Sequence, residues 1–264
     1  MRPVADLPRE QLRALRGVFM DIDDTLTTDG RLTAAAYGAL EGLKNAGLIV
    51  VPITGRPAGW CDHIARMWPV DAVVGENGAF YFRYDAVARK LEKRFLVDDA
   101  GRASERRRLG EIANRVLAAF PGTAIASDQL YRAADLAIDY REDVPPLGRD
   151  VALRIAGFME GKGLTAKVSS IHVNGWFGRH DKLSMTLMLM GERFGTDVDR
   201  ARDGFAFIGD SPNDAPMFGY FPLSIGVANI RRFAGQLTHA PAYVTLAEAG
   251  AGFVEFARLV LDAR

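Results

Sequence analysis

The stretch Val18-Phe19-Met20-Asp21-Ile22-Asp23-Asp24-Thr25 places three apolar residues directly before an acidic cluster. A short apolar run that ends in polar residues is typical of a central strand in a parallel sheet. Asp21 and Asp23 stand two residues apart where the chain leaves this strand, so both carboxyl groups can face one crevice. We expect one carboxylate to act as a nucleophile and the other as an acid/base.

The residues that follow have the pattern of a β-α-β unit. A second apolar run, residues 48–53, leads into Thr54-Gly55-Arg56. Between the two runs, Thr33 is a suitable N-cap and Gly47 a suitable C-cap glycine for a helix. Such a unit builds parallel sheet, because parallel strands need a crossover connection.

Other segments extend this pattern and then depart from it. Strands are also predicted at 72–74, 205–208 and 224–227, and helices at 57–68 and 247–261. The middle of the chain instead favours helices at 103–119 and 147–161, an alternating strand at 136–140 and two short strands within 167–173. Such a mixture is typical of an antiparallel α+β unit.

We therefore predict an α/β protein in which a Rossmann-like parallel-sheet core carries an inserted α+β cap domain. The predicted core consists of residues 1–84 and 178–264, and the predicted cap of residues 85–177.

Composition narrows the classes of partner. Lys+Arg and Asp+Glu both total 33 among 264 residues, so the positive excess expected of a nucleic-acid binder is missing and a small-molecule partner is favoured. Cys61 is the single cysteine, which excludes an internal disulfide and suits a reducing compartment. The sequence has neither the apolar core of a signal peptide nor an apolar stretch of transmembrane length. We expect a cytoplasmic protein that binds no membrane; the pattern favours neither a monomer nor an oligomer.

Polar residues follow several predicted strands at their carboxyl ends, where open parallel sheets bind ligands. They are Asp21, Asp23, Thr54, Asp210 and Asp214. Hard carboxylate oxygens suit octahedral Mg²⁺ rather than zinc. Phosphoryl transfer asks a protein mainly for positioning and charge neutralisation, which carboxylates, Mg²⁺, a hydroxyl and a lysine can supply.

At this point the sequence resembles the haloacid dehalogenase superfamily. Its pattern is Asp-x-Asp-x-Thr, a strand-terminal Thr or Ser, a Lys, and Gly-Asp-x-x-x-Asp. These elements read here as residues 21–25, Thr54, Lys182 and residues 209–214. The family lysine is usually followed by glycine, whereas Leu183 follows Lys182.

The resemblance implies roles for individual residues. Asp21 would be the nucleophile, Asp23 the acid/base and Lys182 the third catalytic group. Substrate phosphate would be bound by Thr54, Gly55, Arg56 and Asn213, and Mg²⁺ by Asp21, Asp23, Asp210 and Asp214, with Asp23 using its backbone carbonyl. Asp214 could instead cap the next helix or orient a metal-bound water, and Arg56 could be a solvated residue at a helix start.

The place of the insertion, between Thr54 and Lys182, is similar to that in the C2-capped (type IIB) branch. That branch includes Cof-type, sucrose-phosphate, trehalose-phosphate and mannosyl-3-phosphoglycerate phosphatases. The resemblance implies a Mg²⁺-dependent phosphomonoester hydrolase that forms an aspartyl-phosphate and acts on a sugar phosphate or related small metabolite. The alternatives are a phosphomutase of the phosphomannomutase type and a non-catalytic protein that binds a phosphorylated ligand.

Two interpretations concern residues outside these motifs. Ser170, His172 and Asn174 alternate with apolar residues, so they could face the substrate or form an ordinary wet face of the cap sheet. Trp60, Met67 and Trp68 are interpreted as helix packing rather than as a ligand cage.

Overall fold

The computed structural model describes residues 1–169, 171–196 and 202–264. Its helices are α1 (Arg9–Ala14), α2 (Ala34–Asn45), α3 (Ala58–Met67), α4 (Asp99–Ala119), α5 (Arg149–Glu160), α6 (Lys182–Phe194), α7 (Ala215–Tyr220) and α8 (Ala249–Ala263).

The strands are β1 (Arg2–Pro3), β2 (Gly17–Met20), β3 (Thr27–Thr28), β4 (Arg31–Leu32), β5 (Ile49–Pro52), β6 (Val73–Gly75), β7 (Phe80–Asp85), β8 (Lys90–Phe95), β9 (Ala124–Ile125), β10 (Leu136–Asp139), β11 (Thr165–Val168), β12 (His172–Trp176), β13 (Phe205–Gly209), β14 (Leu223–Gly226) and β15 (Tyr243–Val244).

The central sheet has the strand order β1-β15-β14-β13-β2-β5, and every neighbouring pair is parallel. Helices α1, α2 and α8 pack together on one face, and α6 packs against α7 on the other. The apolar run that opens β2 is explained by this two-sided cover. Val18 and Met20 join the core on one face, whereas Phe19 stacks on Phe205 on the other, with ring centroids 5.5 Å apart.

The cap is an antiparallel sheet with the order β11-β12-β10-β9. Helices α4 and α5 cover one face of this sheet and form a separate apolar cluster with it. The predicted α/β fold with a parallel-sheet core and an inserted α+β cap is therefore confirmed. Helix α4 begins earlier than predicted, because the Asp98 side chain accepts a hydrogen bond from Gly101 N and caps its first turn.

A hairpin of β7 and β8 joins core and cap. Asp85 pairs with Lys90, so the predicted boundary after residue 84 falls within one antiparallel pairing. Phe95 in β8 packs on Phe80 and Phe82, which belong to the core of the parallel-sheet unit. The division into two domains stays a prediction, with β8 packed on the core side.

Among the described residues, the model contains no helix whose length and apolar content would let it cross a membrane.

Candidate active site

Three buried carboxylates meet at the carboxyl ends of the central strands. Because β2 and β13 pair in parallel, Asp21 and Asp210 leave the sheet at the same edge. Asp214 lies in the short helical turn that follows β13. One oxygen from each of the three side chains lies within 4.8 Å of the others. We call Asp21, Asp210, Asp214 and Lys182 the catalytic cluster.

Lys182 links two of these carboxylates. It is the first residue of α6 and is 3% exposed, and its Nζ lies 2.9 Å from Asp21 Oδ1 and 2.7 Å from Asp214 Oδ1. Burial opposes protonation of this amine, but the two carboxylates outweigh burial and raise the Lys182 pKa. The lysine is therefore charged.

The entry to α6 does not depend on a glycine after the lysine. The Asp181 side chain accepts a hydrogen bond from Ser184 N at 2.8 Å, and the Ser184 hydroxyl lies against the Asp181 backbone in a capping box. The glycine that matters here is Gly78, whose φ is +103° and whose missing Cβ would collide with the Asp181 carbonyl. This close approach holds the loop after β6 against the residue that precedes Lys182.

The catalytic cluster carries more negative than positive charge. Burial is the main cause that raises the pKa of Asp21 to about 7; Lys182 opposes this rise, while Asp214 and Asp23 add to it. Burial also raises the pKa of Asp210 well above its usual range, and Asp21 adds to the effect. Three carboxylates with a single ammonium leave an excess that a divalent cation would balance. An all-oxygen donor set of this kind fits Mg²⁺.

The two oxygens of Asp214 already accept hydrogen bonds. Oδ1 receives Lys182, and Oδ2 receives the backbone N–H groups of Asp210 and Ser211 at 3.2 and 3.3 Å. Asp214 thus closes its own turn and anchors the lysine at the same time.

Asp23 lies apart from the catalytic cluster. Its side chain is 32% exposed and forms a bidentate ion pair with Arg56, whose Nε and terminal nitrogen approach it to 3.0 and 2.8 Å. The same guanidinium lies 3.7 Å from Glu142 of the cap and 4.4 Å from the ring centroid of Trp60. Arg56 is only 8% exposed, so its interpretation as a solvated residue at a helix start is wrong.

The predicted phosphate-binding residues lie in the loops that follow β5 and β13. Thr54 is fully buried, and its hydroxyl accepts a hydrogen bond from Arg56 N at 2.9 Å. The Gly55 carbonyl accepts a hydrogen bond from Arg132 of the cap at 3.1 Å. Asn213 is half-buried and accepts a hydrogen bond from the Ser211 hydroxyl at 2.6 Å. The loop after β5, which holds Thr54 and Gly55, thus receives a contact from the cap.

Asn229 is a site residue that the sequence motifs did not indicate. Its Nδ2 lies 3.4 Å from Asp210 Oδ2 and 3.1 Å from the backbone oxygen of Asp24. It follows β14 at the same edge of the sheet, so the rule that ligands bind at strand ends could have found it.

A second buried acidic group lies between core and cap, and we call it the cap tie: Glu76, Asp128, Arg132 and Asp135. Glu76 is fully buried, and its two oxygens accept four backbone N–H groups. These donors are Ala58 at 2.9 Å, Ala133 at 2.8 Å, Ala134 at 2.6 Å and Asp135 at 3.1 Å. A core residue thereby holds a cap segment.

Arg132 completes the cap tie. Its guanidinium contacts Asp128 Oδ1 and Oδ2, each at 2.9 Å, and Asp135 Oδ1 at 3.0 Å, with its side chain 1% exposed. Asp135 also accepts a hydrogen bond from Asn174 Nδ2 at 2.9 Å. Sequence reasoning missed this group, although the spacing of Asp128 and Arg132, four residues apart, was a weak local signal.

The cap sheet turns a buried polar face to this group. His172 and Asn174 are 3% and 5% exposed, so the interpretation of an ordinary wet face is wrong for them. His172 Nε2 lies 2.9 Å from Glu142 Oε2 without the angle of a hydrogen bond, and burial lowers the His172 pKa to about 4. The contact is therefore one between a neutral ring and a carboxylate. Ser170 lies outside the described residues.

Comparison with known proteins agrees with this geometry. The sequence model of the haloacid dehalogenase-like hydrolases matches residues 18–97, which include Asp21, Thr54 and the loop after β6. Residues 18–97 are therefore similar in sequence to this family. No curated protein sequence matches the chain.

Solved structures of haloacid dehalogenase-like hydrolases and sugar-phosphate phosphatases share the fold over almost the whole chain. One from Bacteroides thetaiotaomicron is 15% identical, with a TM-score of 0.63, and the match covers 92% of this chain and 98% of that chain. The C-terminal domain of a Candida albicans trehalose-6-phosphate phosphatase is 16% identical, with a TM-score of 0.69 and 99% of both chains covered.

A sucrose-phosphatase from Synechocystis, solved with sucrose and phosphate, is 16% identical. Its TM-score is 0.63, and the match covers 93% of this chain and 98% of that one. These likenesses support the fold of a C2-capped haloacid dehalogenase-like hydrolase.

Proposed function

We propose that the protein is a Mg²⁺-dependent phosphomonoester hydrolase that uses Asp21 as its nucleophile. One observation carries this proposal: Asp21 is buried at a strand end and faces a charged lysine and two further carboxylates. A carboxylate without solvent around it, next to a cation that can hold a phosphoryl oxygen, has the arrangement that phosphoryl transfer needs.

The reaction proceeds in two displacements. A carboxylate oxygen of Asp21 attacks phosphorus, the bond from phosphorus to the ester oxygen breaks, and the departing alcohol takes a proton from Asp23. Water then attacks phosphorus and gives a proton to Asp23, and the bond to Asp21 breaks to release inorganic phosphate. Asp23 must be protonated in the first step and ionised in the second.

Arg56 contacts Asp23, the residue that exchanges these protons. The bidentate contact with the guanidinium fixes the orientation of the Asp23 carboxylate. Glu142 of the cap is the second carboxylate near Arg56. We therefore place Arg56 as a positioning residue for Asp23.

The metal would be held by the carboxylates of Asp21 and Asp210 and by the backbone carbonyl of Asp23. Bound there, Mg²⁺ would supply positive charge to the transferring phosphoryl group. Asp214, whose oxygens accept hydrogen bonds from Lys182 and its own turn, would orient the lysine. Thr54, Gly55 and Asn213 would bind phosphate together with Lys182.

The substrate would be a sugar phosphate or a related small phosphorylated metabolite. Two of the structural relatives are named as phosphatases of sugar phosphates, and one was solved with sucrose and phosphate. The single cysteine, Cys61, is buried and unpaired, which suits a reducing compartment such as the cytoplasm.

The test is phosphate release from a panel of phosphomonoesters with Mg²⁺ present or chelated. Asp21→Asn should lower kcat by about 10⁴-fold or more, because the amide is not a nucleophile. Asp29→Asn, on the exposed loop between β3 and β4, is the matched control and should retain activity. Undiminished turnover in Asp21→Asn would refute the mechanism. Isomerised sugar in place of free phosphate would instead identify a phosphomutase.

A further inference from the structure

We propose that the leaving group of the substrate is an alcohol whose ring has a flat apolar face, bound in a cavity between α3 and the β3–β4 hairpin. This inference rests on the proposed function and names the substrate class of the same site. The cavity has a volume of about 490 Å³, within the range of small-molecule sites.

The position of Asp23 connects this cavity to the chemistry. Asp23 lies in its wall, beside Ile22 and Thr27. The group that donates a proton to the departing oxygen must lie within hydrogen-bond reach of that oxygen. The carbon skeleton attached to the oxygen therefore extends from Asp23 into the cavity.

The cavity walls determine what kind of skeleton fits. They are formed mainly by aromatic and aliphatic side chains: Trp60, Trp68, Tyr131, Leu32 and Ile64. The polar side chains there are Asp23, which is ion-paired with Arg56, Thr27, His63 and the hydroxyl group of Tyr131. Such walls favour a ring that stacks on aromatic faces over a chain that carries charges.

Two of the aromatic residues are unusually exposed for their size. Trp60 is 43% exposed, although its ring supports the Arg56 guanidinium, and Tyr131 of the cap is 60% exposed. The interpretation of Trp60 as helix packing is therefore wrong. Tyr131 also packs so closely on Gly59 of α3 that a Cβ there would lie 2.9 Å from the Tyr131 Cβ. Core and cap thus both present aromatic surface to one cavity.

Aryl alcohols and sugar rings share the required flat apolar face. The first test compares kcat/KM for phenyl phosphate, glucose 6-phosphate and glycerol 2-phosphate, so that the aryl, pyranose and acyclic cases are separate arms. At least one ring ester should exceed the acyclic ester by about ten-fold, and the better of the two identifies the source of the ring. Equal values for all three esters would overturn the inference and leave the hydrolase intact.

Variants then locate the effect. Tyr131→Ala should raise KM for the preferred ring ester by about five-fold and leave KM for glycerol 2-phosphate unchanged. Leu130→Ala is the matched control, because Leu130 is the adjacent residue and is 94% exposed. Trp60→Ala should act similarly on KM, and Trp60→Phe should restore binding because a phenyl ring still supports Arg56. Loss of KM discrimination in the Leu130 control, or none in Tyr131→Ala, would contradict the assignment.

A binding measurement separates this inference from the proposed function. Phenol or glucose, the phosphate-free alcohols of the two ring esters, should quench tryptophan fluorescence in Asp21→Asn protein, and the quench should weaken at least five-fold in the Tyr131→Ala background. Quenching without turnover of any ester would support the cavity and refute the hydrolase. Turnover without Tyr131-dependent quenching would do the reverse.

Discussion

The catalytic cluster and the cap tie contain the same numbers of acidic and basic side chains, but their carboxylates differ in the hydrogen bonds that they accept. Each holds three buried carboxylates and one cation, Lys182 in the first and Arg132 in the second. In the cap tie, Glu76 alone accepts four backbone N–H groups. Among the described residues, hydrogen bonds to the Asp21 carboxylate come from Lys182 alone.

This difference shows that burial and acidity by themselves do not mark a reactive site. Saturated carboxylates are fixed partners in a structure, because each lone pair already has a donor. A buried carboxylate with open lone pairs is costly in the absence of a ligand, and it is available to attack or to bind a metal. Substitutions that change one charge at a time in each cluster test this difference.

The largest change in stability is expected when the cation of the cap tie is removed. Arg132→Met keeps most of the side-chain volume but leaves Asp128 and Asp135 buried without their partner. The free energy of unfolding should fall by about 3–5 kcal/mol, measured by urea denaturation. Arg107→Met, on the exposed face of α4, is the control and should change it by less than about 0.5 kcal/mol. A loss below about 1 kcal/mol for Arg132→Met would mean that the cap tie is not a structural unit.

A matched pair of neutral substitutions should have effects of opposite sign. In the presence of a metal chelator, Asp210→Asn removes a carboxylate whose ionised form is disfavoured by burial and by Asp21. The free energy of unfolding should therefore rise by about 1–2 kcal/mol. Asp135→Asn removes a charged partner of Arg132, so the free energy of unfolding should fall by about 2 kcal/mol. Thermal melts of the two variants beside the parent protein provide the comparison. Destabilisation by both variants would refute the contrast between the clusters.

The smallest effect concerns pH. Burial, with help from Arg132 and Arg56, lowers the pKa of His172 from 6.5 to about 4 in the folded state. Between these values the unfolded chain binds more protons, so stability is lost as the pH falls. His172→Gln should reduce the loss between pH 6.5 and pH 5 by about 1 kcal/mol, measured by urea denaturation at both pH values. His239→Gln is an exposed control that should keep the parent slope. An unchanged slope in His172→Gln would show that the ring can be protonated in the fold.

The sequence was sufficient where the chemistry is local or periodic. The apolar runs before Asp21, Thr54 and Asp210 predicted the parallel sheet, because strands covered on both faces must be apolar throughout. Because ligands bind at the carboxyl ends of parallel strands, the polar residues that follow these runs were predicted to line one crevice. Lys182 was found by resemblance, and the structure brings it to Asp21 across a sequence separation of 161 residues.

What the sequence did not indicate depends on long-range contacts between polar groups. The role of Glu76 was not predicted, because a carboxylate that accepts backbone N–H groups from residues 133–135 leaves no periodic signal in the sequence. The exposure of Trp60 could not be inferred either, since an aromatic residue on a helix is usually buried. The second strand of the β7–β8 hairpin was not predicted, because Lys90–Phe95 is rich in charged residues.

The hydrogen bonds of Glu76 also limit how freely the cap can be exchanged. Three of the four N–H groups that donate to its carboxylate belong to residues 133–135, which lie well inside the insertion. A chimaera that received the cap of another protein with this fold would need a backbone segment in the same place, or an apolar residue at position 76. Recombination of caps within this fold is therefore coupled to one side chain of the recipient core.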